Sequence, residues 1–164
     1  MQIKVKAGSI QSLTDARYFS SKEVNWLGFC FNPSNDSYIE PRQAQQITAW
    51  LEGPKVVGEF GQQAVNTILE IAMILDLDAI QVPMTVLTED LALCKGSVLP
   101  TIKLSELESG AVEKLLSMYS NSVEAVIVDA DQAGTATLNQ QKGLLETLNE
   151  NYSVLLSNYG GKDL

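Results

Sequence analysis

Short apolar runs alternate with longer stretches in which apolar residues recur every three or four positions, and this alternation constrains the fold of the chain more than any other feature. It is the pattern of repeated β-α units around a parallel sheet. The runs predict strands over Gln2 to Ala7, Trp26 to Phe31, Pro54 to Phe60, Ala79 to Val82, Val98 to Leu104, Ala125 to Asp129 and Ser153 to Ser157. The spacing predicts helices over Ser12 to Ser21, Pro41 to Leu51, Gln63 to Leu75, Thr88 to Leu93, Ser109 to Tyr119 and Leu138 to Leu148. Pro41 stands where a first helical turn tolerates proline, and Val65, Ile68, Leu69, Ala72 and Leu75 form a stripe for packing against a sheet. VVGEF and AVIVD are apolar until their last residues, as expected of strands covered on both faces. No linker or low-complexity tract divides residues 1–164, which read as a single domain.

Charge and composition then remove several functions. Eleven Lys and Arg against 20 Asp and Glu give a net charge of −9, with no histidine. Nucleic acid and anionic membrane surfaces need a clustered positive face, so neither is an expected partner. A small phosphorylated metabolite remains compatible, because backbone N–H groups at a helix start bind one phosphate whatever the global charge. Without histidine there is no Ser/His/Asp or Cys/His pair and no histidine-based metal site. Acid and base work falls to Asp, Glu, Lys, Tyr or Cys, with no metal and no cofactor expected. Cys30 and Cys94 match no CxxC spacing. The opening MQIKVKAGSI lacks the apolar stretch of a signal peptide, and a soluble, cytoplasmic protein is expected.

In parallel β/α proteins ligands bind at the C-terminal ends of strands. Those ends read Ala7-Gly8, Asn32, Glu59, Gln81, Lys103, Asp129 and Ser157, the last followed by Gly160-Gly161. Asp129 closes the most apolar run and should face a partly desolvated crevice, where carboxyl groups can act as acids; capping the next loop is the other role open to it. Glu59 reads either as a second site carboxylate or as a solvated loop residue. Gly160-Gly161 reads as a phosphate wrap or a plain turn.

Read together, these segments resemble the phosphoribosylanthranilate isomerase family of tryptophan biosynthesis. Gly8 followed by Leu13, Asp15 and Ala16 is similar to the family's Lys-Ile-Cys-Gly start and Leu-x-Asp-Ala helix, with one residue inserted. Leu27-Gly28-Phe29-Cys30-Phe31 with Ser37-Tyr38-Ile39, Val57-Gly58-Glu59-Phe60, Ala79-Ile80-Gln81, Ile127-Val128-Asp129, Ala133-Gly134-Thr135-Ala136 and Leu155-Leu156-Ser157 with Gly160-Gly161 resemble successive family segments in order. The resemblance implies a TIM (β/α)8-barrel fold and an Amadori rearrangement of an aminoaldose phosphate to a 1-deoxyketose phosphate. It places the acid that protonates the ribose ring oxygen on Asp129. It implies Gly8, Gly134, Ser157, Gly160 and Gly161 as substrate and phosphate contacts.

The resemblance also exposes losses. The family's base cysteine falls on Ala7, its substrate-facing arginine on Ser37, and its Gln-Leu-His-Gly becomes Gln81-Val82-Pro83-Met84. A general base is worth about 10² to 10⁴ in rate, which Ala7 cannot supply. The expected activity is therefore an impaired or altered isomerase, with Glu59 as a relocated base; the alternative is a non-catalytic barrel that binds a phosphometabolite or a protein. Cys30 reads as buried packing, and Lys6 and Lys103 as point charges for a phosphate or carboxylate. Only about seven β-α units fit into 164 residues, whereas such barrels run to roughly 200 or more. The expectation is a domain over 1–164 that lacks its last unit: either a truncated version of a protein of about 200 residues, or a chain whose open strand edges a partner covers, as in a homo-oligomer.

Overall fold

The computed structural model describes residues 4–118, 122–130 and 135–157. Contacts divide the chain into two compact units, Met1–Val98 and Leu99–Leu164. The first carries β1 (Lys6–Ala7), α1 (Leu13–Ser20), β2 (Trp26–Cys30), α2 (Pro41–Thr48), β3 (Lys55–Glu59), α3 (Val65–Ile74) and β4 (Ala79–Pro83). Its strands pair in parallel in the order β1-β2-β3-β4. The second carries most of β5 (Ser97–Lys103), then α4 (Ser109–Met118), β6 (Ala125–Asp129), α5 (Thr135–Gln140), α6 (Lys142–Asn151) and β7 (Ser153–Ser157), with β5-β6-β7 parallel. Seven parallel strands alternating with helices, among the described residues, make this a fold of TIM (β/α)8-barrel type.

Local chemistry explains the element boundaries. Ser12, extended at φ −136°, caps α1 by accepting the Asp15 N–H at 3.1 Å, and its hydroxyl donates to the Asp15 carboxylate at 2.7 Å. Pro41 begins α2, where its missing N–H has no intrahelical acceptor to lose. After α3 the backbone turns at Asp76 with φ 47°, and the Leu77 N–H reaches back to the Ala72 carbonyl at 3.0 Å. The Asp78 carboxylate then accepts the Val56 N–H at 2.7 Å, which ties the start of β4 to that of β3.

Two of the expected helices differ, and β1 begins at Lys6 rather than earlier. The stretch Thr88 to Leu93 is a 3₁₀ turn over Glu89–Leu93, closed by Leu91 N–H to Thr88 and Cys94 N–H to Leu91, each at 3.1 Å. The last expected helix starts earlier and is two helices, because Gln141 lies in the bridge region at φ −92°, ψ 3°. A further 3₁₀ turn at Leu104–Glu106 was not anticipated from spacing, three residues being too few to show a period.

Each unit has its own apolar interior. Every residue of β2 is buried, and Leu27, Phe29, Val57, Ile68, Ile80 and Leu91 are closed to solvent in the first unit. Leu99, Leu104, Leu115, Val126, Val128 and Leu148 are closed in the second. There the buried Tyr152 hydroxyl donates to the Leu115 carbonyl at 3.0 Å, joining the end of α6 to α4. Tyr152→Phe strips that carbonyl of its side-chain donor, which costs about 1 kcal/mol. The expected result is a fall in Tm of about 2–4 °C in calorimetry; an unchanged Tm would show that the bond contributes nothing.

Candidate active site

Parallel pairing in register places one polar residue per strand in a row at the C-terminal ends. In the first unit Cys30 pairs with Glu59 and Glu59 with Gln81. In the second Lys103 pairs with Asp129 and Asp129 with Ser157. Register partners on adjacent strands project from the same face of a sheet, so each row presents its side chains together. Asp129 and Ser157 are half-buried, and Lys103 is exposed. Gly134, Gly160 and Gly161, which the resemblance implies as substrate and phosphate contacts, lie outside the described residues.

Glu59 is no solvated loop carboxylate. Its Oε1 forms an ion pair with Lys6 Nζ, and the two side chains are only 12% and 11% exposed. Its Oε2 accepts the Ser9 N–H at 3.0 Å. Ser9 has φ 56°, a left-handed backbone that glycine adopts more readily, and this turn aims the N–H at the carboxylate. Lys6 thus holds an internal carboxylate rather than standing free as a point charge for a ligand.

The ion pair spans a strand. β1 and β3 both flank β2, so Lys6 and Glu59 start roughly 9–10 Å apart across the sheet and must meet over β2. Gly28 of β2 lies beneath them: a Cβ there would stand 2.6 Å from Glu59 Cδ and 2.7 Å from Lys6 Nζ. Gly8 closes the other side, where a Cβ would stand 2.6 Å from Glu59 Oε1 and 3.1 Å from Lys6 Nζ.

This arrangement identifies the residue at the end of β1, just past the strand, that faces the pair. It is position 8, on the same side as Lys6. Ala7, on which the sequence reading places the missing base, is buried and lies between two residues of that side, so it points to the opposite face.

Other predicted positions resolve into structural roles. Asn32 accepts the Ser34 N–H at 3.2 Å and shapes the turn after β2, while the Ser37 N–H donates to Asn35 Oδ1 at 2.8 Å. Gln81 contributes something that spacing did not reveal: its amide oxygen is buried with no hydrogen-bond partner among the described residues, an acceptor suited to an N–H or O–H donor. Among the described residues there is no group of three or more His, Cys, Asp or Glu that could hold a metal ion.

Cys30 is buried, as its apolar surroundings in the sequence suggest. Burial pushes its thiol up from the ordinary value; the Asn32 backbone N–H opposes this, the Glu59 charge adds to the rise, and Lys6 opposes it. A thiol raised in this way stays protonated at pH 8, and the thiolate is the reactive form. Alkylation at pH 8 is therefore expected to modify the half-buried Cys94 first and to reach Cys30 only after denaturation. Equal rates for the two thiols in a native-state mass-spectrometric time course would contradict this environment.

Comparison with known proteins agrees with this fold. Residues 5–159 match the family model described as N-(5'phosphoribosyl)anthranilate (PRA) isomerase. The N-(5'-phosphoribosyl)anthranilate isomerase of Clostridium beijerinckii is 24% identical over 152 residues, covering 89% of this chain and 66% of that protein, so the chain spans a little under two thirds of its relative. The crystal structure of the Thermus thermophilus phosphoribosyl anthranilate isomerase superposes with a TM-score of 0.70 at 18% identity, covering 99% of this chain and 90% of that one. A structure described as mutually generated monomers of the dimeric Thermotoga maritima enzyme gives 0.68 at 17% identity, covering 99% and 90%. These two structural likenesses speak for the fold, and the match over residues 5–159 speaks for descent: the chain belongs to the PRA isomerase family.

Proposed function

We propose that the chain is an altered member of its family, catalysing an Amadori isomerisation of a phosphoribosyl amine with a carboxylate base in place of a thiol. The observation that carries this reading is the Glu59 carboxylate, delivered by Lys6 to the space left open by Gly8. Asp129 gives a proton to the ribose ring oxygen as the bond from C1 to that oxygen breaks, leaving an iminium at C1. Glu59 takes the C2 proton, the C–H electrons form the C1–C2 double bond, and the iminium is neutralised. Return of a proton to C1 and loss of the hydroxyl proton at C2 give the ketose. Atoms and electrons balance without an added oxidant or reductant.

The remaining groups supply binding. The Gln81 amide oxygen, on the strand beside Glu59, is placed to accept from a substrate hydroxyl or amine. Ser157, with Gly134, Gly160 and Gly161, is assigned to the phosphate. Cytoplasmic location and self-association belong to the same proposal. It is supported by two findings: no helix among the described residues is long and apolar enough to cross a membrane, and one relative is described as dimeric.

One observation favours a second reading, a barrel that binds a phosphometabolite or a protein without turnover. Both Glu59 oxygens already have partners, Lys6 Nζ and the Ser9 N–H, so proton abstraction requires one of those contacts to loosen. Incubation of the purified chain with PRA separates the two. Isomerase action is expected to yield the ketose phosphate, with Glu59→Gln and Asp129→Asn each lowering kcat by about 10² to 10⁴. Saturable binding of PRA without product would establish the non-catalytic reading instead.

A further inference from the structure

Lys6, Gly28 and Glu59 come from three strands, Gly8 directly follows β1, and the geometry of the four is mutually dependent. The two charged side chains are almost withdrawn from water, so neither is tolerated there alone: a half-buried charge that loses its partner keeps its desolvation cost and loses the attraction that offset it. The pair meets over β2 only because β2 has no side chain at the crossing point. It ends beside β1 only because β1 has none at position 8.

We infer that these residues act as one device that carries a functional carboxylate from β3 across β2 to the site-facing end of β1, with Lys6 as the positioning residue and the two glycines as its clearance. The inference rests on the proposed isomerase for what the carboxylate does, but the device itself is defined by packing. Lys6 acts through Glu59 and makes no contact with substrate. Its ammonium and the Ser9 N–H grip different oxygens of the carboxylate, which fixes both the place and the rotation of the group. A methyl at position 28 meets Glu59 Cδ and Lys6 Nζ together, so both chain ends must shift to admit it, which separates the pair. At position 8 the obstruction is the far end of the carboxylate, and a methyl there pushes Glu59 off Lys6.

A thermal-stability cycle tests the device without reference to turnover. Gly28→Ala is made in the natural chain and in a Lys6→Met/Glu59→Ala background. In the natural chain it is expected to lower Tm by several degrees. In the background the obstructing atoms, Lys6 Nζ and the Glu59 carboxylate, are gone, alanine fits a strand better than glycine does, and Tm is expected to stay level or rise. The same change in Tm in both backgrounds would overturn the device.

The positioning role is read in kinetics. Lys6→Met is expected to lower kcat at least about tenfold with KM changed less than twofold, and Lys6→Arg to recover much of the loss. A Lys6→Met variant with unchanged kcat and a raised KM would make Lys6 a substrate-binding cation and overturn its positioning role. If the natural chain shows no isomerase activity, the functional reading fails by itself, and reversal or persistence of the Gly28→Ala effect still decides the device.

Discussion

A half-buried ion pair between Lys6 and Glu59 sets the terms for the first unit's strand ends. Two charges withdrawn from water must meet, and here they meet from strands that are not neighbours. That single demand accounts for a glycine in the middle of β2, for a glycine immediately after β1, and for a serine in a left-handed backbone conformation that turns its N–H toward the carboxylate. Each of these would look like an unrelated local preference on its own strand. Viewed across the sheet they are consequences of one electrostatic requirement, and they leave a carboxylate beside the C-terminal ends of the first unit's strands.

The second unit solves a simpler problem. β6 is apolar until its last residue, and register brings Lys103, Asp129 and Ser157 to one face on adjacent strands. The carboxyl of Asp129 thus has a hydroxyl residue on one side and a basic residue on the other. In both units the polar row owes its place to the same two properties of parallel strands: alternation of side chains every two residues and pairing without slippage. The apolar residues that precede each row, such as Val126 and Val128 or Leu27 and Phe29, anchor the register by burying their own faces.

Much of the architecture was legible because hydrophobic periodicity is a local signal. β6 and β7 have the bounds that their apolar runs suggest, and β2, β3 and β4 agree to within one residue at each end. The short 3₁₀ turns and the interruption at Gln141 were not legible, since they depend on one or two backbone angles that no side-chain pattern announces. The site was legible by residue type and illegible by partnership. Glu59, Lys6 and Gly8 were all singled out, yet linear spacing cannot show that residues 6 and 59 meet over residue 28. Nor can spacing show which side of the strand end faces the pair: strand alternation sets Lys6 and Gly8 on one side and Ala7 on the other.

The central claim is that a carboxylate from β3 faces the reacting carbon of the substrate. A crystal structure of the chain with a reduced, unreactive ketose phosphate analogue tests it most directly. The account requires a Glu59 oxygen within about 3.2 Å of the hydroxyl at C2 of the analogue, with Lys6 still paired to the carboxylate. An analogue bound with C2 facing another side chain, or seated beyond the reach of Glu59, would contradict it.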